Sequence, residues 1–157
     1  MCLLKVENLT TVIGTAAKRE PESLLKNINI DIRENKITAL IGESGAGKTI
    51  FSRTISALLP ENVFITSGNF YYKSKPVDYK WLRKNRGREI FYAPQNAAAS
   101  LNPAIKIKKQ IGEVSKIPRH SLVDILRFMN IEEPERLLNS YPFELSEGEN
   151  QRVLLTM

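Results

Sequence analysis

Residues 42–49, "GESGAGKT", constrain this chain more than any other stretch. Gly42 is followed after four residues by Gly47, Lys48 and Thr49, the spacing of a loop that cradles phosphates. The flanks suit it. Residues 37–41, "ITALI", read as a fully buried strand entering the loop. After it Phe51, Ile55, Leu58 and Leu59 lie on one helical stripe, which Pro60 is expected to stop. Each residue type has a task. Gly42, Gly45 and Gly47 permit backbone angles that turn main-chain amides inward, with Ser44 and Ala46 adding theirs. The new helix contributes the positive end of its dipole. Lys48 is expected to reach the β- and γ-phosphates, and Thr49 to place its hydroxyl on Mg²⁺. Glu43 contributes backbone only, because a carboxylate inside the cradle would repel phosphate. The expected ligands are ATP and Mg²⁺.

The rest of the chain reads as strands, then a long helix, more strands and a helical region. "LLKVENLTTVI" begins it as an edge strand, and "GTAAKREPES" follows as a polar loop. Ile28, Ile30 and Ile32 alternate with polar residues, as a half-buried strand does, and "RENK" turns the chain. "NVFITSGNFYYKSKPV" is β-rich, with Gly68 at a turn or bulge. A short basic helix is expected around Trp81, a buried strand at "EIFYAP" and a loop over residues 96–102. Leu122, Ile125, Leu126 and Met129 mark a helix that Ser121 and Asp124 would cap, and Pro134 opens another through Leu138.

Composition excludes several classes. The longest apolar runs fall far short of the ~20 residues of a membrane span, and the N-terminus lacks the pattern of a secretory signal. The single cysteine, Cys2, cannot form an internal disulfide, and it suits a reducing compartment. The formal net charge of +6 admits nucleic acid as a ligand, but its clusters, "KWLRKNRGR" and "KIKK", read as solvated faces. No zinc-finger spacing, aromatic RNA-binding signature or heptad run accompanies them, so no nucleic-acid partner is expected.

Two further features bear on the loop. Gln95 follows "EIFYAP" and opens a loop. Ser146 and Gly148 stand at the head of a helix in "YPFELSEGENQRV". Ser146 with Glu149 is by itself a capping box, and a helix start with a serine hydroxyl and a glycine amide also suits a terminal phosphate. In this order, "GESGAGKT", "APQNAAASLNP" and "YPFELSEGENQRV" resemble the ATP-binding subunits of ABC transporters, in the oligopeptide, dipeptide and nickel importer branch. The resemblance covers nearly the whole chain. It implies an α/β fold, a P-loop NTPase (RecA-like) core with an antiparallel β lobe and a helical subdomain. Residues 1–104 would form the core and lobe, 105–140 the helical subdomain, and 141–157 the signature motif with the start of the next helix.

It also implies roles. Lys48 and Gln95 would act in ATP hydrolysis, and Thr49 and Gln95 would touch Mg²⁺. Ser146 and Gly148 would contact the γ-phosphate of ATP held by a second ATPase subunit, identical or not. Transmembrane permease subunits, and indirectly a substrate-binding protein, would be partners at the inner face of the cell membrane. This chain differs in carrying Glu147 for a signature glycine, Glu149 for the glutamine or methionine that follows, and Ile13 where an aromatic would stack on adenine. A carboxylate about 4 Å from a phosphate costs on the order of 1–4 kcal/mol, depending on screening. The aspartate and glutamate of a Walker B strand and a switch histidine, which the resemblance places after the signature, have no counterpart. His120 lies upstream of Ser146. The expectation is the N-terminal part of such a subunit, incomplete at its C-terminus and marginal in stability. The alternative is a nucleotide-binding fragment without hydrolytic or transport activity.

Overall fold

The computed structural model describes residues 1–14, 21–115 and 117–157, so the middle of the expected "GTAAKREPES" loop lies outside the described residues. The chain divides into two compact units, Met1–Tyr92 and Ala93–Met157.

The first unit is built on a four-stranded antiparallel sheet in the order β2-β1-β3-β4. Its strands are β1 (Cys2–Ile13), β2 (Glu22–Arg33), β3 (Val63–Tyr72) and β4 (Lys75–Val77). β1 was expected at an edge but lies inside, paired along its length with β2 and β3. Leu4, Val6, Leu9 and Thr11 alternate onto its buried face, and a strand so covered has no reason to stay at the rim. The expected alternation in β2 is present, with Ile28, Ile30 and Ile32 half-buried against the core.

Asparagines absorb the irregularities of the β1–β2 ladder. Asn8 and Asn27 take φ of 52° and 51°, a region asparagine tolerates better than most residues. The Asn8 amide donates to Asn29 Oδ1 at 3.0 Å, and the Asn27 amide to Thr10 Oγ1 at 3.2 Å. The expected turn or bulge at Gly68 appears as an irregularity of the β1–β3 ladder: Asn8 and Leu9 of β1 stand opposite Gly68 alone, which takes φ of +137°. A Cβ there would lie 2.9 Å from the Leu9 Cα of β1. Lys73 and Ser74, both at positive φ, close the tight β3–β4 hairpin.

Helix α1 (Lys48–Ile55) packs on β2, and Phe51 enters a core with Leu4, Val6, Leu9, Leu25 and Phe70. It ends before the expected stop at Pro60. Ala57 turns left-handed, at φ 52°, its amide bonds to the Thr54 carbonyl at 3.1 Å, and Leu58 N–H reaches the Arg53 carbonyl at 2.8 Å. This pair of bonds is a Schellman closure, which ends a helix without proline. Helix α2 (Tyr79–Asn85) is the expected basic helix. Its N-cap, Asp78, accepts from the Trp81 amide at 2.7 Å.

Two expected buried strands do not form. Residues 36–43 are assigned to no strand, and Ile37 and Ile41 are 99% and 91% exposed. "EIFYAP" keeps a single parallel bridge, Arg86 to Ile90, and Phe91 is exposed. Runs of this kind are buried in parallel sheets by strands on both sides. The sheet of this unit is instead wholly antiparallel, and among the described residues no strand pairs with either run.

The second unit is helical. It holds α3 (Ile107–Val114), α4 (Arg119–Phe128), α5 (Pro134–Asn139) and α6 (Glu147–Thr156), with short 3₁₀ turns at Ala98–Ser100 and Pro142–Glu144. Leu101, Ile107, Ile111, Leu122, Leu126, Leu137, Leu145 and Val153 fill its core. α4 starts earlier than the expected Ser121 cap, directly after Pro118, whose fixed φ suits a helix entrance. Asp124 lies one turn into the helix, where it pairs with Arg127 at 3.5 Å. Among the described residues no helix is long and apolar enough to cross a membrane.

Gly68→Ala is expected to lower the stability of the first unit by roughly 1–3 kcal/mol, through positive φ and the close approach to Leu9. The check is a shift in the urea midpoint larger than that of Gly87→Ala, which shares a positive φ in the same unit but where an added Cβ meets nothing within 4 Å.

Candidate functional site

The loop over residues 42–49 leaves a set of donors open at the head of α1. Gly45 and Gly47 take φ of +86° and +85°, angles that cost a side chain about 1 kcal/mol or more. Gly47 is required twice over, because a Cβ there would lie 2.6 Å from Leu25 Cδ2. A short turn, Ala46 N–H to the Glu43 carbonyl at 3.2 Å, brings the loop round. Gly47 is also the N-cap of α1 and supplies no side-chain cap, and the first turn holds no acidic residue. The first helical amide with a backbone partner is Phe51, on the Gly47 carbonyl at 2.8 Å. The amides before it, at the positive end of the dipole, are thus available to an anion.

Two side chains extend this donor set. Lys48 folds back so that Nζ donates to the carbonyls of Gly42 and Glu43, each at 2.6 Å. An ammonium held on neutral carbonyls keeps its full charge over the loop and gains by exchanging one of them for phosphate oxygen. Thr49 is exposed, and among the described residues its hydroxyl has no partner. Its neighbours behave otherwise: Ser52 Oγ donates to the Lys48 carbonyl at 3.1 Å and Thr54 Oγ1 to the Ile50 carbonyl at 2.7 Å. Glu43 and Ser44 are exposed, as a carboxylate kept out of the cradle should be. The residues present fit a triphosphate tail, and the free Thr49 hydroxyl fits a hard cation such as Mg²⁺.

The second unit carries the other candidates. Gln95 is exposed, in the bend before the Ala98–Ser100 turn. The loop after it is tied by Gln110, a buried residue whose importance the sequence did not suggest. Gln110 Oε1 accepts from the Asn102 amide at 2.8 Å, and Nε2 donates to the carbonyls of Asn102 and Ile105 at 3.0 and 2.6 Å. Asn150 does the same for the segment that precedes α6: its Nδ2 donates to the Pro142 carbonyl at 3.0 Å from a buried position on α6. Its spacing from Val153, on the inner face of the helix, is the signal that could have found it.

Ser146 is the N-cap of α6, and the expected capping box forms. The Glu149 amide donates to Ser146 Oγ at 3.2 Å, and Glu149 Oε2 accepts from the Ser146 amide at 2.8 Å. Arg136 of α5 pairs with the other oxygen, Oε1. These bonds, led by the one from the Ser146 backbone, hold the Glu149 carboxyl below the usual range, against a smaller opposing push from burial. Ser146 and Glu147 are exposed and Gly148 half-buried. A Cβ at Gly148 would meet only Arg152 atoms at 3.6 Å and beyond, so packing within this chain does not demand glycine there.

The sequence profile of a family described as "ABC transporter" matches residues 25–157. A dipeptide transport ATP-binding protein, DppD, of Caldanaerobacter subterraneus subsp. tengcongensis is 34% identical over 167 residues, which covers 99% of this chain and 50% of that protein. The oligopeptide transport ATP-binding protein OppD of Bacillus subtilis is 32% identical over 145 residues, covering 85% of this chain and 40% of that protein. The chain thus spans about half the length, or less, of these curated relatives. Among solved structures, cbiO1 from Clostridium perfringens, part of the ABC transporter complex cbiONQ, matches with a TM-score of 0.69 and 28% identity, over 99% of this chain and 60% of that one. A dimeric post-hydrolysis state of the ATP-binding cassette MJ0796, bound to ADP and Pi, matches in fold with a TM-score of 0.76 at 24% identity, over 98% of this chain and 68% of that one.

The Glu149 carboxyl sets a pH dependence. Its folded pKa lies below its ordinary value of 4.5, so its contribution to stability is complete above that value and is lost as pH falls through the folded pKa. Urea midpoints of the wild type and Glu149→Gln are expected to differ by a constant amount near neutrality and to converge in acid.

Proposed function

Because this chain belongs to the ABC transporter family, we infer that it binds Mg-ATP at residues 42–49 and is the nucleotide-binding part of an ATPase subunit that drives a peptide importer. The observation that carries this reading is the uncapped head of α1, where open amides, the Lys48 ammonium on the Gly42 and Glu43 carbonyls and the unpartnered Thr49 hydroxyl stand on one loop. Residues 42–49 hold the triphosphate, with the backbone of Gly42, Glu43, Ser44, Gly45, Ala46 and Gly47 as cradle. Lys48 exchanges a carbonyl for phosphate oxygen and neutralises charge as it develops in the transition state. Thr49 would hold Mg²⁺, which when bound would screen the phosphates, and the resemblance implies a Mg²⁺ contact for Gln95. Ser146 and Gly148 serve the ATP of a second ATPase subunit.

Peptide as cargo is favoured by the names of the relatives, which are dipeptide and oligopeptide transport ATP-binding proteins, and nickel remains the other solute of the branch. Permease subunits, reached from the inner face of the membrane, and a substrate-binding protein complete the assembly. Residues 1–104 act as nucleotide core and β lobe, 105–140 as the helical subdomain and 141–157 as the signature segment. The exposed Ile37, Ile41 and Phe91 favour a second reading, in which this chain alone holds nucleotide without turning it over.

Calorimetry with Mg-ATP tests the first step. The wild type is expected to release heat on binding, and Lys48→Ala to bind at least about tenfold more weakly, the effect of losing one charge-assisted bond to phosphate. Equal heats for both would rule out the loop as the phosphate site. Phosphate release by the chain alone, with and without Lys48, then separates the two readings.

A further inference from the structure

The head of α6 differs from that of α1 in a way that bears on use of the second site. At α1 the donors are open. At α6 a carboxylate of the chain already occupies them: Glu149 Oε2 accepts from the Ser146 amide at 2.8 Å and from Ser146 Oγ at 3.0 Å. A phosphate contacting Ser146 needs those same two hydrogens. It would also meet a negative charge where it needs positive potential.

The carboxylate has somewhere to go. Its other oxygen, Oε1, is bonded to Arg136 Nη2. Arg136 also reaches Glu133 at 3.0 Å, so it sits between two carboxylates. A cavity of about 210 Å³ beside Ser146 is lined by Glu132, Glu133, Arg136, Glu149 and Arg152. The Arg152 Nε inside this wall is buried and has no partner among the described residues. Two guanidinium groups, those of Arg136 and Arg152, thus line the space beside Glu149.

We propose that Glu149 is a gate on Ser146: it holds the serine's amide and hydroxyl closed to phosphate until the carboxylate turns fully onto Arg136. This rests on the reading of Ser146 and Gly148 as phosphate donors and adds how that site is regulated. Arg136 acts as a positioning residue that parks the carboxylate and touches no ligand itself. Glu147 has no part in the gate. It carries the same charge on the same turn, is exposed, and makes no bond to Ser146.

The test is a titration of the full chain with inorganic pyrophosphate, followed by the amide resonances of Ser146 and Gly148. Glu149→Gln is expected to reach half-saturation at about a tenfold lower concentration than the wild type, since a charged competitor for two donors becomes a neutral one. Glu147→Gln removes the same charge without touching Ser146 and is expected to behave as the wild type. The gate is overturned if the wild type and Glu149→Gln respond alike, if neither responds, or if Glu147→Gln gives the same gain. The amides of Gly45, Gly47 and Lys48 in the same spectra report on the nucleotide loop separately, so a silent loop counts against the nucleotide reading and not against the gate.

Discussion

Helix α1 begins without a cap, and the candidate chemistry of the chain follows from that. Two helices close a first-turn amide with a side chain, Asp78 for α2 and Ser146 for α6, whereas α3, α4 and α5 share the uncapped start of α1 but not its Lys48 and free Thr49 hydroxyl. At α1 the cap position is Gly47, whose positive φ and contact with Leu25 leave no room for a side chain. Within the loop only the Ala46 amide finds a backbone partner, the Glu43 carbonyl, before Phe51 joins the helix ladder, and Lys48 rests on carbonyls that a phosphate can replace. A phosphate ligand would stabilise the loop by completing bonds that the fold leaves open.

The antiparallel sheet supplies the rigidity this requires. Leu25 of β2 fixes Gly47 from below, and Phe51 anchors the first turns of α1 in the core shared by β1, β2 and β3. The run leading into the loop has no such support. Residues 36–43 reach the loop as extended chain with Ile37 and Ile41 exposed. Exposed apolar runs of high β propensity invite pairing with other chains. The helix side of the loop packs on the sheet, and the run on its other side pairs with no strand among the described residues.

Much of this was legible in the sequence. The spacing of glycines, Lys48 and Thr49 announced the loop, the alternation of Ile28, Ile30 and Ile32 announced β2, and Ser146 with Glu149 announced the cap of α6. Where the reading failed, distant partners decided the outcome. Apolar content made "ITALI" and "EIFYAP" look buried, but burial of a strand depends on neighbours that a local pattern does not contain. β1 was placed at an edge because it begins the chain, and only the pairing with β3, some sixty residues on, puts it inside. The stop of α1 was assigned to Pro60, whereas Ala57 in a left-handed turn ends it earlier, a conformation that alanine does not advertise. Gln110 and Asn150 were missed because a buried amide looks like any polar residue until the carbonyls it serves are in view.

Hydrogen exchange of the α1 head tests the central claim most directly. The amides of Gly45, Gly47, Lys48, Thr49 and Ile50 are expected to exchange freely in the chain alone and to become strongly protected on addition of Mg-ATP, while that of Trp81, already held by Asp78, stays unchanged. Unaltered exchange at these five residues with saturating Mg-ATP would contradict the account, because the open donors would then have no phosphate to meet.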